Sequence, residues 1–138
     1  MNVPLLRSSF DLIAERHPDV TRHFYEILFE RYPALSPMFG RNSRAAQEKM
    51  LTQALVAVMD HLEDAAWFEE TLGALGAKHV AYGVTDEMYG WVGECLLVAL
   101  ARAAGPAWTA EVEAEWTSAY GAIARAMLAG ARGARAAA

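Results

Sequence analysis

The sequence predicts an all-α fold. Strand signals are nearly absent, because the chain has no alternating runs of Val, Ile and Thr and no Asn-Gly turns, while Ala, Leu, Glu and Met dominate. Pro, Gly and capping residues divide it into about seven helical pieces, and the Gly73/Gly76 region is one of the predicted breaks. The helices are unequal in length and show no fixed repeat or sustained heptad, so a compact orthogonal helical domain is favoured over a regular bundle.

Each helix is predicted from its apolar stripe and its end signals. Pro18 suits the first position of the second helix, Asn42 or Ser43 can cap the third, and Thr85 can cap the fifth. We expect helices at about residues 5–15, 18–31, 43–62, 66–79, 86–103 and 106–130, with a short turn after Pro33. The tail, residues 131–138, is expected to fray.

Composition excludes several classes of function. At 138 residues the chain fits one domain, here taken as 1–138, and its net charge of −5 provides no basic surface for nucleic acid. Its only cysteine, Cys95, lies in an apolar helical run, so neither a disulfide framework nor a thiolate metal cluster is expected. No apolar run has the length of a signal sequence or a membrane span. These features predict a cytoplasmic protein that binds neither nucleic acid nor membrane.

One histidine interrupts an apolar helical face. His79 follows Phe68, Leu72 and Leu75 at steps of four, three and four residues, so its ring points into the core. Taken alone, it is more often a core residue bonded to backbone carbonyls than a ligand. The other histidines stand in polar surroundings and are expected to face solvent: His17, His23 and His61.

Two more polar side chains share apolar faces with the core. Gln47 begins the stripe that contains Leu51, and Tyr25 lies on the face of Phe29. Burying an unpaired amide costs about 1–3 kcal/mol, so both groups need a partner. With His79 they indicate an internal site. A single imidazole without Cys, Asp or Glu at metal spacing disfavours bare zinc, whereas haem brings its own chelating nitrogens and needs one axial histidine.

Longer stretches of the sequence are similar to a known family. The segments FYEILFERYPALSPMF, QEKML, KHVAYGVTDEMYGWVGECLL and EWTSAYGAIARAM resemble the bacterial single-domain haemoglobins of the Vitreoscilla type and the globin domain of flavohaemoglobins. The resemblance covers nearly the whole chain. It implies a globin fold, a three-over-three helical sandwich around haem b (iron protoporphyrin IX).

The resemblance also implies a role for individual residues. His79 matches the proximal iron ligand, while Tyr25 and Gln47 match the distal pair that hydrogen-bonds the iron-bound ligand. Phe39 matches the residue wedged against the porphyrin, and Leu51 the residue packed over the ligand. The remaining residues implied to contact the cofactor are Lys78, near a propionate, and Val84, Tyr89, Val92 and Tyr120.

Two features depart from flavohaemoglobins. The glutamate that bonds the proximal histidine in those relatives falls at Ala131, eleven residues after Tyr120, so we expect His79 to donate to a backbone carbonyl and to favour peroxide-type chemistry less. The chain also has no Gly-rich phosphate loop. Any turnover is therefore expected to take electrons from a separate reductase.

Three functions remain open from the sequence. The first is reversible binding of dioxygen, NO and CO by a monomer or homodimer. The second is nitric oxide dioxygenation with an external reductase, or haem-based gas sensing, which would use the same residues. The third is a haem-free helical adaptor in which the three polar groups are satisfied within the core, and a Soret band discriminates it from the others.

Overall fold

The computed structural model describes residues 1–138, and it contains seven α-helices and no strand. A 3-10 segment, Pro33–Phe39, joins the second helix to the third, a π-helical turn covers Phe68–Leu72, and a second 3-10 turn covers Gly105–Ala107. The all-α prediction is confirmed. The helices are α1 (Val3–Arg16), α2 (Val20–Arg31), α3 (Arg44–Asp60), α4 (Ala65–Trp67), α5 (Gly73–Ala81), α6 (Asp86–Ala104) and α7 (Ala110–Ala137).

Helix α2 begins later than predicted. Pro18 lies in a turn, and Asp19 takes the N-cap position without a side-chain cap bond. Its carboxylate instead accepts from the Arg22 guanidinium at 2.8 Å and lies 3.0 Å from the His23 ring. The carboxylate therefore binds side chains at the start of α2 instead of capping its backbone amides. The predicted cap of α3 is correct, since Ser43 Oγ accepts from the Ala46 amide at 3.1 Å.

The chain terminus also differs from its prediction. Residues 131–137 continue α7 instead of fraying, because the segment is rich in alanine and is held at its end. The Arg135 guanidinium donates to the Asp86 carboxylate at 2.6 Å and to the Val84 carbonyl at 3.2 Å. The start of α7 differs as well: Thr109 caps the helix at Ala110, so Pro106 belongs to the preceding 3-10 turn.

The core is formed mainly by α1, α2, α6 and α7. Trp116 of α7 is 1% exposed, and its indole N–H donates to Ser9 Oγ of α1 at 2.9 Å. This bond satisfies a polar atom that packing would otherwise isolate. The other large side chains with almost no exposure are Leu6, Ile13, Leu28, Cys95 and Leu100. No helix is long and apolar enough to cross a membrane.

Helix α5 crosses α7 with backbone in direct contact. A Cβ atom added at Gly76 would overlap the backbone of Met127, and one added at Gly130 would overlap the backbone of Gly73. The sequence predicts a helix break in the Gly73/Gly76 region, and this prediction is wrong. The glycines lie within α5, where they permit the close crossing. Because His79 is three residues beyond Gly76, the crossing fixes the backbone from which its ring projects.

Candidate functional site

Tyr25 of α2 and Gln47 of α3 meet in a hydrogen bond. Tyr25 is 3% exposed, and the Gln47 side-chain N–H donates to its hydroxyl oxygen at 3.1 Å. The phenolic proton therefore remains free for another acceptor. Asn42 donates to the Gln47 carbonyl oxygen at 3.5 Å, which favours the orientation in which the amide nitrogen faces Tyr25.

The Tyr25 phenol stays protonated at neutral pH. Burial raises its pKa above the usual value of 10.0, and this effect outweighs the opposing influence of the Gln47 hydrogen bond and the positive charge of Arg44. A neutral phenol is a donor, so Tyr25 can supply a hydrogen bond to a ligand that carries partial negative charge.

A cavity of about 200 Å³ adjoins this pair. The Phe39 ring meets the Tyr25 ring edge-on, with the ring centroids 5.5 Å apart, and Phe29 lies 5.4 Å from Phe39 on the same side. We call this space the distal cavity. The volume exceeds the roughly 10–15 Å³ that one water molecule needs by this measure, so a ligand of a few atoms fits. Its lining is Tyr25, Phe29, Ser36, Phe39, Gly40, Asn42, Arg44 and Gln47.

His79 of α5 is half-buried, with one ring nitrogen committed to the backbone. Its Nδ1 lies 2.7 Å from the Leu75 carbonyl oxygen, and because a carbonyl only accepts, Nδ1 carries the proton. Burial lowers the pKa of the ring, although the bond to Leu75 opposes the shift. The neutral tautomer that results has its lone pair on Nε2, the form that ligates a metal.

The predicted backbone partner of His79 is therefore present. No carboxylate forms a hydrogen bond or an ion pair with the ring, and Ala131, at the position of the relatives' glutamate, is 1% exposed. Tyr89 packs nearby, with its ring centroid 6.5 Å from that of His79, and its buried hydroxyl has no hydrogen-bond partner. The Tyr120 hydroxyl donates to the Tyr89 carbonyl at 2.6 Å, which holds this part of α6 against α7.

These residues fit a haem group. Neutral His79 offers one nitrogen, and the chain has no cluster of three or more His, Cys, Asp or Glu side chains that could hold a metal ion, so a metal there would need its own chelator. Half-buried apolar side chains at the edge of the core can cover a flat apolar ligand. The predicted ones among them are Phe39, Leu51, Val84 and Val92.

The predicted residues fall into two groups that no hydrogen bond or aromatic contact joins. Tyr25, Gln47 and Phe39 form the distal group, and His79 and Tyr89 form the other. Lys78 is exposed and forms no hydrogen bond or ion pair. His17 and His23 are exposed as predicted, whereas His61 is half-buried, because its ring stacks on Trp67 at 4.3 Å and bonds the Ala57 carbonyl.

Sequence reasoning missed five residues of the distal cavity: Phe29, Ser36, Gly40, Asn42 and Arg44. Arg44 precedes Gln47 by three residues on α3, so helical spacing alone places both on one side. A charged side chain at this position is ordinarily solvated, and Arg44 is indeed exposed although it lines the cavity. Asn42 and Ser36 lie outside the α-helices, where no periodicity indicates their direction.

A half-buried neutral histidine beside apolar side chains, with a phenol and an amide lining a small cavity in a helical fold, is the arrangement expected of a haem-binding protein. The family model described as Globin matches residues 22–127. The chain belongs to the globin family, and membership supports haem binding.

Related proteins agree with this assignment. The chain is 31% identical over 128 residues to a flavohemoprotein of Bacillus thuringiensis subsp. konkukian, covering 91% of this chain and 31% of that protein. It therefore spans about a third of the length of such relatives. The structure of a bacterial globin from Campylobacter jejuni matches with a TM-score of 0.82, 26% identity and 94% of each chain covered. A flavohemoglobin from Malassezia yamatoensis, with bound FAD and heme, matches with a TM-score of 0.73 and 30% identity over 97% of this chain and 36% of that chain.

Proposed function

We propose that the protein binds haem b through His79 Nε2 and reversibly binds dioxygen, as well as CO and NO. The observation that carries the proposal is the hydrogen bond from Gln47 to the Tyr25 hydroxyl, because it leaves the phenolic proton free at the distal cavity. When bound, the haem iron supplies the position at which a diatomic ligand coordinates. The protein residues then decide how firmly that ligand is held.

Each side of the site has a separate task. His79 ligates with Nε2 while the Leu75 carbonyl fixes its ring orientation and tautomer. Tyr25 and Gln47 donate to the partial negative charge that dioxygen acquires, which slows its release. Phe39 and Leu51 cover the apolar surface of the cofactor and limit the access of water.

A non-covalent haem agrees with the local sequence. Covalent attachment of the c type uses the motif C-x-x-C-H, with cysteines four and one residues before the ligating histidine. Leu75 and Lys78 occupy those two positions before His79, and Cys95 is fully buried in α6. The cofactor that we propose is therefore haem b.

Replacement of His79 tests the proposal. Protein purified from haem-replete cells is expected to show a Soret band that shifts on addition of CO to the reduced form. His79→Ala should lose haem or change its axial ligation, and added imidazole should restore the spectrum. His61→Ala is the matched control. Like His79, His61 bonds the carbonyl oxygen four residues earlier at 2.7 Å, here that of Ala57, but its ring stacks on Trp67 and is not proposed to bind iron. A normal spectrum for His79→Ala would contradict the proposal.

Nitric oxide dioxygenation with an external reductase needs the same residues and is the second candidate. It is favoured by the free donor at Tyr25, which would hold dioxygen while nitric oxide enters the cavity. Rapid mixing of the oxygenated protein with nitric oxide tests the chemical step, with nitrate as the expected product. Haem-based gas sensing would require a partner that responds to the bound ligand.

A further inference from the structure

The distal cavity contains one charged residue, and it is positive. Arg44 is the only Asp, Glu, Lys or Arg in the lining, where its neighbours are the neutral donors Ser36, Asn42 and Gln47. The chain as a whole carries a net charge of −5, so the cavity is a local exception to a field that repels anions.

The Arg44 side chain lies over aromatic rings of the cavity. Its guanidinium carbon is 5.0 Å from the centroid of the Phe29 ring and 5.8 Å from that of Tyr25. Stacking on ring faces suits the planar guanidinium and keeps its charge at the mouth of the cavity. The charge also reaches the functional phenol, because it is one of the influences that lower the pKa of Tyr25.

No carboxylate neutralises Arg44. It takes part in none of the protein's ion pairs, whereas Arg22, Arg31 and Arg135 each bind an acidic side chain. The charge of Glu48 opposes that of Arg44 in its effect on the pKa of Tyr25, but Glu48 does not line the cavity. An unpaired cation at the entrance to a small polar cavity attracts anions.

We propose that Arg44 makes the distal cavity selective for small anionic ligands, such as azide and nitrite, over neutral ligands of the same size. The proposal rests on the function proposed above, since the anion reaches the iron through this cavity. Asn42 and the Tyr25 hydroxyl supply hydrogen bonds that do not depend on charge. Arg44 supplies the discrimination between an anion and a neutral molecule.

Azide and CO are the probes, with ferric protein used for azide and ferrous protein for CO. Arg44→Gln should weaken azide binding at pH 7.5 by about three- to tenfold, because an exposed unit charge within a Debye length acts through partial solvent screening. CO affinity should change by less than about twofold, because CO carries no charge. Arg44→Lys should retain most of the azide affinity, and added salt should weaken azide binding to the parent protein more than to Arg44→Gln.

Arg41→Gln is the control for charge alone. Arg41 lies three residues earlier and outside the cavity lining, with its guanidinium 5.1 Å from the centroid of the Tyr82 ring. The Arg41→Gln substitution should leave azide affinity nearly unchanged. Equal azide affinity in the parent and Arg44→Gln would overturn the proposal, as would equal losses for azide and CO, which would indicate a change of cavity shape. The absence of a Soret band from the parent would refute the proposed function and this proposal with it, whereas a normal Soret band with unaltered azide binding would refute this proposal alone.

Discussion

Tyr25→Phe removes a single oxygen atom from the distal cavity and should speed dioxygen release. The side chain is 3% exposed, so the phenylalanine ring can keep the packing of Tyr25 against Phe24, Phe29 and Phe39. The lost atom accepts from Gln47 at 3.1 Å and carries the proton available to a ligand. The substitution therefore tests hydrogen bonding with little change of shape.

The expected size of the effect follows from these contacts. One charge-assisted hydrogen bond contributes about 1.5–3 kcal/mol, which corresponds to roughly ten- to hundredfold in a rate or an affinity. The Gln47 N–H that donates to Tyr25 loses its acceptor in this variant, so a second N–H of the same amide becomes free for the ligand in place of the Tyr25 hydroxyl. This substitution of donors places the expected increase in the dioxygen dissociation rate near the lower limit, at about tenfold.

Stopped-flow displacement of dioxygen by CO measures that rate. Dissociation of CO itself should change by less than about threefold, because CO is a weaker hydrogen-bond acceptor. Tyr32→Phe is the matched control: it removes the same atom from a tyrosine whose hydroxyl donates to Glu94 at 3.1 Å, away from the distal cavity. An unchanged dioxygen dissociation rate in Tyr25→Phe, or an equal change in Tyr32→Phe, would refute the role given to Tyr25.

Two further predictions concern stability and can be checked by urea unfolding of the purified protein. Gly76→Ala should lower the free energy of unfolding by about 2 kcal/mol, because overpacking against the α7 backbone costs about 3 kcal/mol and the higher helix propensity of alanine regains about 1 kcal/mol. The control is Gly90→Ala, which should stabilise the protein slightly because the added Cβ has open space around it. Ser9→Ala should cost about 1–3 kcal/mol by leaving the buried Trp116 indole N–H unpaired, whereas exposed Ser8→Ala should stay within about 0.5. Equal stabilities within either pair would contradict the corresponding packing or hydrogen-bond argument.

Helical periodicity predicts that Tyr25 and Gln47 both face the interior, and the structure joins them by a hydrogen bond. Each residue shares an apolar face with its neighbours, so two packed helices turn both side chains toward the same interior. The same reasoning could not predict Arg44. A long flexible side chain at the start of a helix can extend into solvent or fold over an aromatic ring. For Arg44 the choice between these two conformations depends on the rings of Phe29 and Tyr25, which belong to another helix.

For Gly73 and Gly76 the sequence made a prediction, and it was wrong. The two glycines predict a helix break because glycine has low helix propensity. Local propensity contains no information about a helix that packs against them from elsewhere in the chain. The partner is α7, which approaches so closely that a side chain at Gly76 has no room. Tertiary packing therefore both requires the glycines and supplies the stability that keeps them helical.

Different parts of the fold hold the two sides of the proposed haem site. On the proximal side, α5 is fixed by backbone contact with α7, and His79 is further held by the Leu75 carbonyl. On the distal side, Gln47 and Arg44 lie in the first turn of α3, directly after the 3-10 segment and its loop. Substitutions at the distal side can therefore change ligand preference without moving the residue proposed to hold the iron, which is why the Arg44 and Tyr25 variants should alter ligand binding while retaining the haem.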